Sequence, residues 1–445
     1  MRRPRTLTPA STPKEEFARR RRHLMRLMGR DSIAIVPAAP VRQRNNDVEY
    51  PYRQDSDFFY LTGFAEPEAV AALVPGRSHA EYVLFVRDRD RQREIWDGRR
   101  AGTTGATRDY GADDAFPITD IDEILPGLME NRARVFYAMG THPEFDQRVV
   151  GWVNSLRTQA RNGRHPPQET VALDQVLHDM RLYKSRAELG LMREAARIGV
   201  AAHVRAMRAC RPGLAEYQIA AEIVHEFNRH GAGTSYEPIV GGGANACILH
   251  YRENSDRLRE GDLLLIDAGC EYGCYASDIT RTFPVSGRFT PEQRAVYEVV
   301  LEANLAAIDK VRPGNSWNEP HDAAVRVVTH GLVKLGLLKG RVASLERDGA
   351  YRRFFMHRTG HWLGMDVHDV GDYKIGDAWR MLEPGMVLTI EPGIYISPAQ
   401  RGVPRRFRGI GVRIEDDVAV TRGEPEVLSR GAPKDARAIE KVMAH

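Results

Sequence analysis

Apolar residues along this chain gather in short runs separated by longer stretches of mixed character. Ser32–Pro37 is one such run, closed by proline, and residues 69–74, Tyr82–Val86 and 135–140 repeat the pattern, the last closed by Gly140. Helical spacing accompanies them, for example over residues 144–160. Strands alternating with helices predict an α/β N-terminal domain built on a mixed sheet. Residues 161–167, RNGRHPP, have loop or linker chemistry. Ser185 and Glu188 then stand at capping-box spacing ahead of Leu189, Met192, Ala196 and Ile198, which starts a helix. The boundary is placed near residue 175, giving domains 1–175 and 176–445. The second domain repeats itself: helices from about 186 to 230 lead into strands from about 237 to 285, then helices from about 291 to 337 lead into strands from about 355 to 420. Two such halves predict an α+β domain with a pseudo-two-fold repeat.

Composition narrows the class without naming a function. Of 445 residues, 42% are hydrophobic and 28% charged, which suits a globular chain. A net charge of +4 gives no case for nucleic acid. The basic run Arg19-Arg20-Arg21-Arg22 reads as a solvated helix face, because Glu15, Glu16, Phe17, Leu24, Leu27 and Met28 accompany it. No apolar stretch reaches the roughly 20 residues of a membrane span, and no apolar core follows the basic N-terminus as in a secretory signal. The four cysteines, Cys210, Cys247, Cys270 and Cys274, form no CxxC pair. A reducing cytoplasm, with no membrane or nucleic-acid partner, is the expectation.

Four segments carry candidate chemistry. Leu263-Leu264-Leu265-Ile266-Asp267 is an apolar strand ending in a carboxylate, and Asp278 follows a turn-rich stretch, as on the second arm of a hairpin. Two acids side by side repel, a cost that cations between them remove; a turn-capping Asp is the plain alternative. His357, His361 and His368 fall within twelve residues, where imidazoles serve as ligands or proton carriers, or simply as satisfied core groups. Leu388-Thr389-Ile390-Glu391 again delivers a carboxylate at a strand end, stopped by Pro392-Gly393. Val412 and Ile414 alternate with Arg413 and Glu415, a pair that could equally be a surface Arg–Glu contact. Four carboxylates balance two divalent cations. Oxygen ligands with one imidazole suit Mn²⁺ first, with Co²⁺, Fe²⁺ or Zn²⁺ also accommodated. Paired ions can activate water and polarise a carbonyl.

These segments, with Asn46-Asp47-Val48-Glu49-Tyr50, residues 54–63 and Ile248-Leu249-His250-Tyr251, resemble the pita-bread metallopeptidases, and within them the aminopeptidase P family, over nearly the whole chain. The resemblance implies an RNase H-like N-terminal domain and a pita-bread catalytic domain that releases the residue before proline from Xaa-Pro-Yaa peptides. It implies Asp267 on one metal, Asp278 and Glu415 bridging, and His361 and Glu391 completing the ligands of the second metal, with Glu391 also accepting a proton from the attacking water. His250, His357 and His368 resemble non-ligand site histidines, Tyr236 and Arg413 resemble residues that orient ligands, and Trp96, Trp362 and Tyr395 resemble pocket residues. Trp96 would line a neighbouring subunit's pocket in a homo-oligomer, a dimer or tetramer. Arg358-Thr359 departs from the family pattern, where glycine and an aliphatic residue are commoner, which bears on pocket shape. Prolidase, cleaving Xaa-Pro dipeptides with the same ligands, is the alternative; Trp362 beside His361 favours aminopeptidase P. Creatinase and non-catalytic relatives lack the full ligand set, which is present here.

Overall fold

The computed structural model describes residues 12–444. They divide into two compact units between Met180 and Arg181, a point inside the helix Leu173–Leu182 and slightly beyond residue 175.

The N-terminal unit is built on a six-stranded sheet in the order Asp114–Pro117, Tyr82–Val86, Val70–Leu73, Ser32–Pro37, Arg134–Phe136, Glu169–Val171. Val70–Leu73 runs antiparallel to both neighbours while the other pairings are parallel, so the sheet is mixed. Side chains alternate along a strand. Ile33, Ile35, Val83, Phe85 and Val135 pack together with Leu125, Leu128, Trp152 and Leu156 from the helices Ile121–Met129 and Pro143–Thr158. The polar residues 161–167 form a loop that leads into the last strand of this sheet.

The arginine run is only in part the solvated face expected of it: Arg19 and Arg22 are exposed, Arg20 and Arg21 are not. On the helix Lys14–Met28, Arg20 and Arg21 are buried with Phe17, Leu24 and Met28. Arg20 lies 4.1 Å over the Tyr60 ring and donates to the Tyr60 carbonyl at 3.1 Å. Arg21 lies 3.9 Å over Tyr82 and donates to Leu61 O at 2.8 Å. Ring faces and carbonyls give the two guanidiniums the partners that water would otherwise supply.

In the second unit the helix Arg186–Ala209 begins at a capping box in which Ser185 and Glu188 satisfy each other's backbone N–H. It and Glu216–Arg229 precede the antiparallel strands Ile239–Gly242, Leu263–Asp267 and Thr280–Pro284. The helices Pro291–Asp309 and Glu319–Lys334 precede Val387–Ile390, which pairs with Asp416–Ala419, and Gly393–Ile396, which pairs with Ile410–Arg413. Two helices followed by antiparallel strands, twice, is the repeat read from the pattern. Among the described residues no helix is long and apolar enough to cross a membrane.

Candidate metal centre

Each half of the second unit delivers carboxylates where its strands end. Asp267 closes Leu263–Asp267 and stands opposite Thr280 in the ladder. Asp278 is not on the paired arm itself; it ends the excursion that precedes Thr280, with its N–H donated to Asp417 Oδ1 at 3.0 Å. A Cβ on Gly269 would overlap the Ser277 carbonyl, so only glycine lets the arms close this far. Asp267 and Asp278 thereby share one hydroxyl, that of Tyr236.

The second half contributes Glu391 immediately after Val387–Ile390, and Glu415 between Ile410–Arg413 and Asp416–Ala419. His361 is held against the first of these strands: its N–H reaches Thr389 Oγ1 at 3.1 Å, and its carbonyl accepts from Thr389 N at 2.9 Å. Gly360 makes this approach possible, since a Cβ there would overlap Thr389 O. His361 Nδ1 lies 2.9 Å from Trp362 O, and Nε2 lies 3.4 Å from Asp278 Oδ2 and 3.8 Å from Glu391 Oε1. One donor atom each from Asp278, His361 and Glu415 lie within 4.8 Å of one another. The five residues, with Tyr236, His250, His357, His368 and Arg413, line one cleft of about 480 Å³.

Electrostatically the cleft is short of positive charge. Burial pushes Glu391 up to about 7 despite His361 and Arg413. Burial, then the neighbouring acids, raises Glu415 well above the carboxylate range. Burial also raises Asp267, although Arg413 ion-pairs with it. Burial opposes ionisation of Asp278 too, but the hydrogen bond and charge of His361 outweigh it and hold that carboxyl low. Burial alone would lower His361; Asp278 and Glu391 reverse this and raise it to about 9. Four buried acids around one imidazole, all with lone pairs facing one cleft, are a donor set that fits hard divalent cations.

Around these five, Arg413 donates to Thr280 Oγ1 and to the Tyr395 hydroxyl, both at 3.1 Å, and Thr280 donates to Glu415 Oε2 at 2.6 Å. Arg413 is thus a buried bracket, not the surface partner of Glu415. His357 Nδ1 lies 2.7 Å from Arg358 O, so Nε2 accepts from the Tyr395 hydroxyl at 2.8 Å. Burial, then Arg413, pushes His357 down to about 3, leaving a neutral imidazole. The His368 ring packs 4.3 Å from that of His361, and His250 is exposed on the cleft wall.

None of the three residues expected in the pocket lines this cleft. Trp362 is wholly buried, 2° from parallel with Tyr373 and 4.1 Å from the Trp317 ring. It follows His361 in an extended segment bridged to Leu388, so successive side chains point to opposite sides. Tyr395 is also buried, behind the wall that His357 and Arg413 form. Trp96 belongs to the N-terminal unit, where it is 88% exposed on the helix Arg91–Asp97. Thr280, Arg281 and Asp417 also frame the site, bonding Glu415 Oε2, the Glu415 carbonyl and the Asp278 amide, although no motif marks them. Arg281 holds the Asp416 carboxylate at 2.7 Å, and its own strand TRTFP is buried throughout. Three polar residues in such a strand were the available signal.

The profile described as Metallopeptidase family M24 matches residues 190–422, and that described as Aminopeptidase P, N-terminal domain, matches residues 17–137. The Xaa-Pro aminopeptidase of Escherichia coli K12 is 48% identical over 97% of this chain and 98% of its own length. The solved structure of the Pseudomonas aeruginosa aminopeptidase PepP superposes with a TM-score of 0.97 at 62% identity, covering 98% of each chain. The zinc-substituted E. coli aminopeptidase P in complex with product superposes with a TM-score of 0.95 at 48% identity, covering 97% of this chain and 98% of that one.

Proposed function

The chain belongs to metallopeptidase family M24, and from that premise we propose that Asp267, Asp278, His361, Glu391 and Glu415 are its metal ligands. The protein is an Xaa-Pro aminopeptidase: a two-metal hydrolase that releases the first residue of peptides with proline second. Carrying this reading is the full-length match to a relative of that name, 48% identical. Because Trp362 does not touch the cleft, it no longer separates this activity from prolidase; the relatives do.

Divalent cations, when bound, neutralise the acids, acidify water and polarise the scissile carbonyl. We assign Mn²⁺ on the preponderance of oxygen donors. The chain's own residues do the rest. Tyr236 fixes Asp267 and Asp278 relative to each other, and Arg413 holds Asp267 in place. Glu391, lining the cleft at the end of its strand, takes the proton of the attacking water. His250, His357 and His368 contact the peptide; His250 and His368 stabilise charge on the carbonyl oxygen, because both ring nitrogens of neutral His357 are taken by Arg358 O and the Tyr395 hydroxyl. Proline lacks an N–H, and a site that works on the carbonyl requires none.

We also infer a homo-oligomer, dimer or tetramer, with Trp96 against a neighbouring subunit's pocket. Supporting this, Trp96 and Ile95 stand side by side at 88% and 81% exposure. A cytoplasmic setting fits the sparse cysteines, four in 445 residues.

The test assays an Xaa-Pro-Yaa tripeptide and an Xaa-Pro dipeptide, each with Mn²⁺ and with chelator. Turnover of the tripeptide that chelator abolishes is expected. An enzyme that cut only the dipeptide, or ignored the chelator, would overturn the assignment.

A further inference from the structure

Residues 360–369 carry His361 and His368 but form no helix; residues 361–363 lie along Val387–Ile390 through the bridge of Trp362 to Leu388 and its flanking backbone bonds, and residues 364–369 join no strand. Backbone bonds to Val387–Ile390 hold it as far as Leu363; beyond that no helix or strand does, and its aim has to come from side chains. Behind it lies a buried charge cluster. Asp369 accepts from Lys184 Nζ at 2.8 Å and from Arg181 Nη2 at 2.6 Å, and Arg181 also reaches Asp366 Oδ2 at 2.7 Å. The side chains of Lys184 and Asp369 are each 1% exposed. A Cβ on Gly364 would run into the Asp369 carboxylate, so the loop is moulded round this one acid.

The cluster reaches the metal centre through one carbonyl. Asp369 N–H donates to Trp362 O at 2.9 Å. His361 Nδ1 lies 2.9 Å from that same oxygen. A carbonyl has two lone pairs and no proton, so both nitrogens donate to it. Nδ1 of His361 therefore carries a proton whatever the charge of the ring, and Nε2, 3.4 Å from Asp278 Oδ2, is the nitrogen left to face the metal site. The strand contacts to Thr389 fix the backbone of His361; the Trp362 carbonyl fixes its ring.

We propose that Asp369, anchored by Lys184 and Arg181, is a positioning residue: it holds the Trp362 carbonyl where it sets the tautomer and direction of His361 for metal binding. This rests on the ligand assignment above. Such outer contacts, when removed, typically weaken metal binding by about 10–100-fold.

The experiment titrates metal-free protein with Co²⁺ and reads affinity and the visible d–d band, which reports the coordination shell. Three variants are compared with wild type. Asp369→Asn removes the anchor. Lys184→Met/Asp369→Asn removes one charge of each sign, keeps the cluster's balance, and carries the test where the single variant does not fold. Lys184→Arg keeps the cation. Expected are an affinity loss of about tenfold or more and a changed band in both Asn variants, kcat falling with KM nearly unchanged, and rescue in Lys184→Arg. A folded double variant with wild-type affinity and band would overturn the proposal. Wild type that took up no Co²⁺ would instead overturn the ligand assignment, so the two failures are separable.

Discussion

Replacing Arg413 by methionine keeps most of the apolar stem and removes a charge with three donor contacts. Those contacts are the ion pair to Asp267 and the hydrogen bonds to Thr280 and Tyr395. Asp267 is pushed up by burial, and Arg413 is the foremost influence opposing that push. Without metal, then, the variant leaves a buried carboxyl with no cation against it. Breaking one partner of a buried pair costs about 3–5 kcal/mol. A domain of roughly 150–250 residues loses about 2–4 °C per kcal/mol, so the fall in Tm is roughly 6–20 °C in chelator. Mn²⁺ at the site places positive charge opposite Asp267 again and should recover part of that loss, since bound ions are the largest local charges in such a site. Differential scanning calorimetry of wild type and Arg413→Met, each with chelator and with saturating Mn²⁺, gives the four numbers needed. A Tm within 2 °C of wild type in chelator, or a loss of equal size with and without metal, would refute the reasoning.

His250→Ala, His357→Ala and His368→Ala should each lower kcat by about 10²–10⁴-fold with both metals retained by elemental analysis; a variant that loses metal has lost a ligand. Burial, then Arg281, lowers His203 to about 4. Against an unfolded value near 6.5, the unfolded chain binds the extra proton between those limits. Stability is therefore full above about pH 6.5 and declines as pH falls towards 4, by up to about 3 kcal/mol. His203→Gln should flatten that part of a Tm-against-pH profile, and a profile parallel to wild type would count against it. Trp96→Ala should shift the molar mass measured by light scattering to smaller species; unchanged mass and unchanged tripeptide turnover would remove Trp96 from both roles.

What could be read directly from the sequence was whatever depends on near neighbours. The runs ending in Asp267 and Glu391 are strands because they are apolar, and each ends in a carboxylate because a polar group belongs where pairing stops. Ser185 and Glu188 announce their helix because a capping box spans only four residues. Misjudged positions depend on distant partners or on direction. Arg20 and Arg21 are buried because Tyr60, Leu61 and Tyr82 come to meet them from elsewhere in the chain. Trp362 follows a cleft residue directly, and in an extended segment that adjacency points it the other way. Thr280 gains its place between Arg413 and Glu415 across more than a hundred residues, a link no local pattern carries.

The donors come from both halves of the second unit: Asp267 and Asp278 from one, His361, Glu391 and Glu415 from the other, joined by Thr280 on Glu415 and Asp417 on the Asp278 amide. No short stretch of chain offers more than two of them. An unfolded or half-formed chain therefore has little to offer an ion, and the site comes into being only when both halves have docked. Contacts that form late leave the folding rate alone and act on the rate of escape from the native state. Loading the enzyme should lengthen its lifetime against unfolding while leaving its refolding speed unchanged, so the metal acts as a latch on the finished molecule, not as a nucleus for making it.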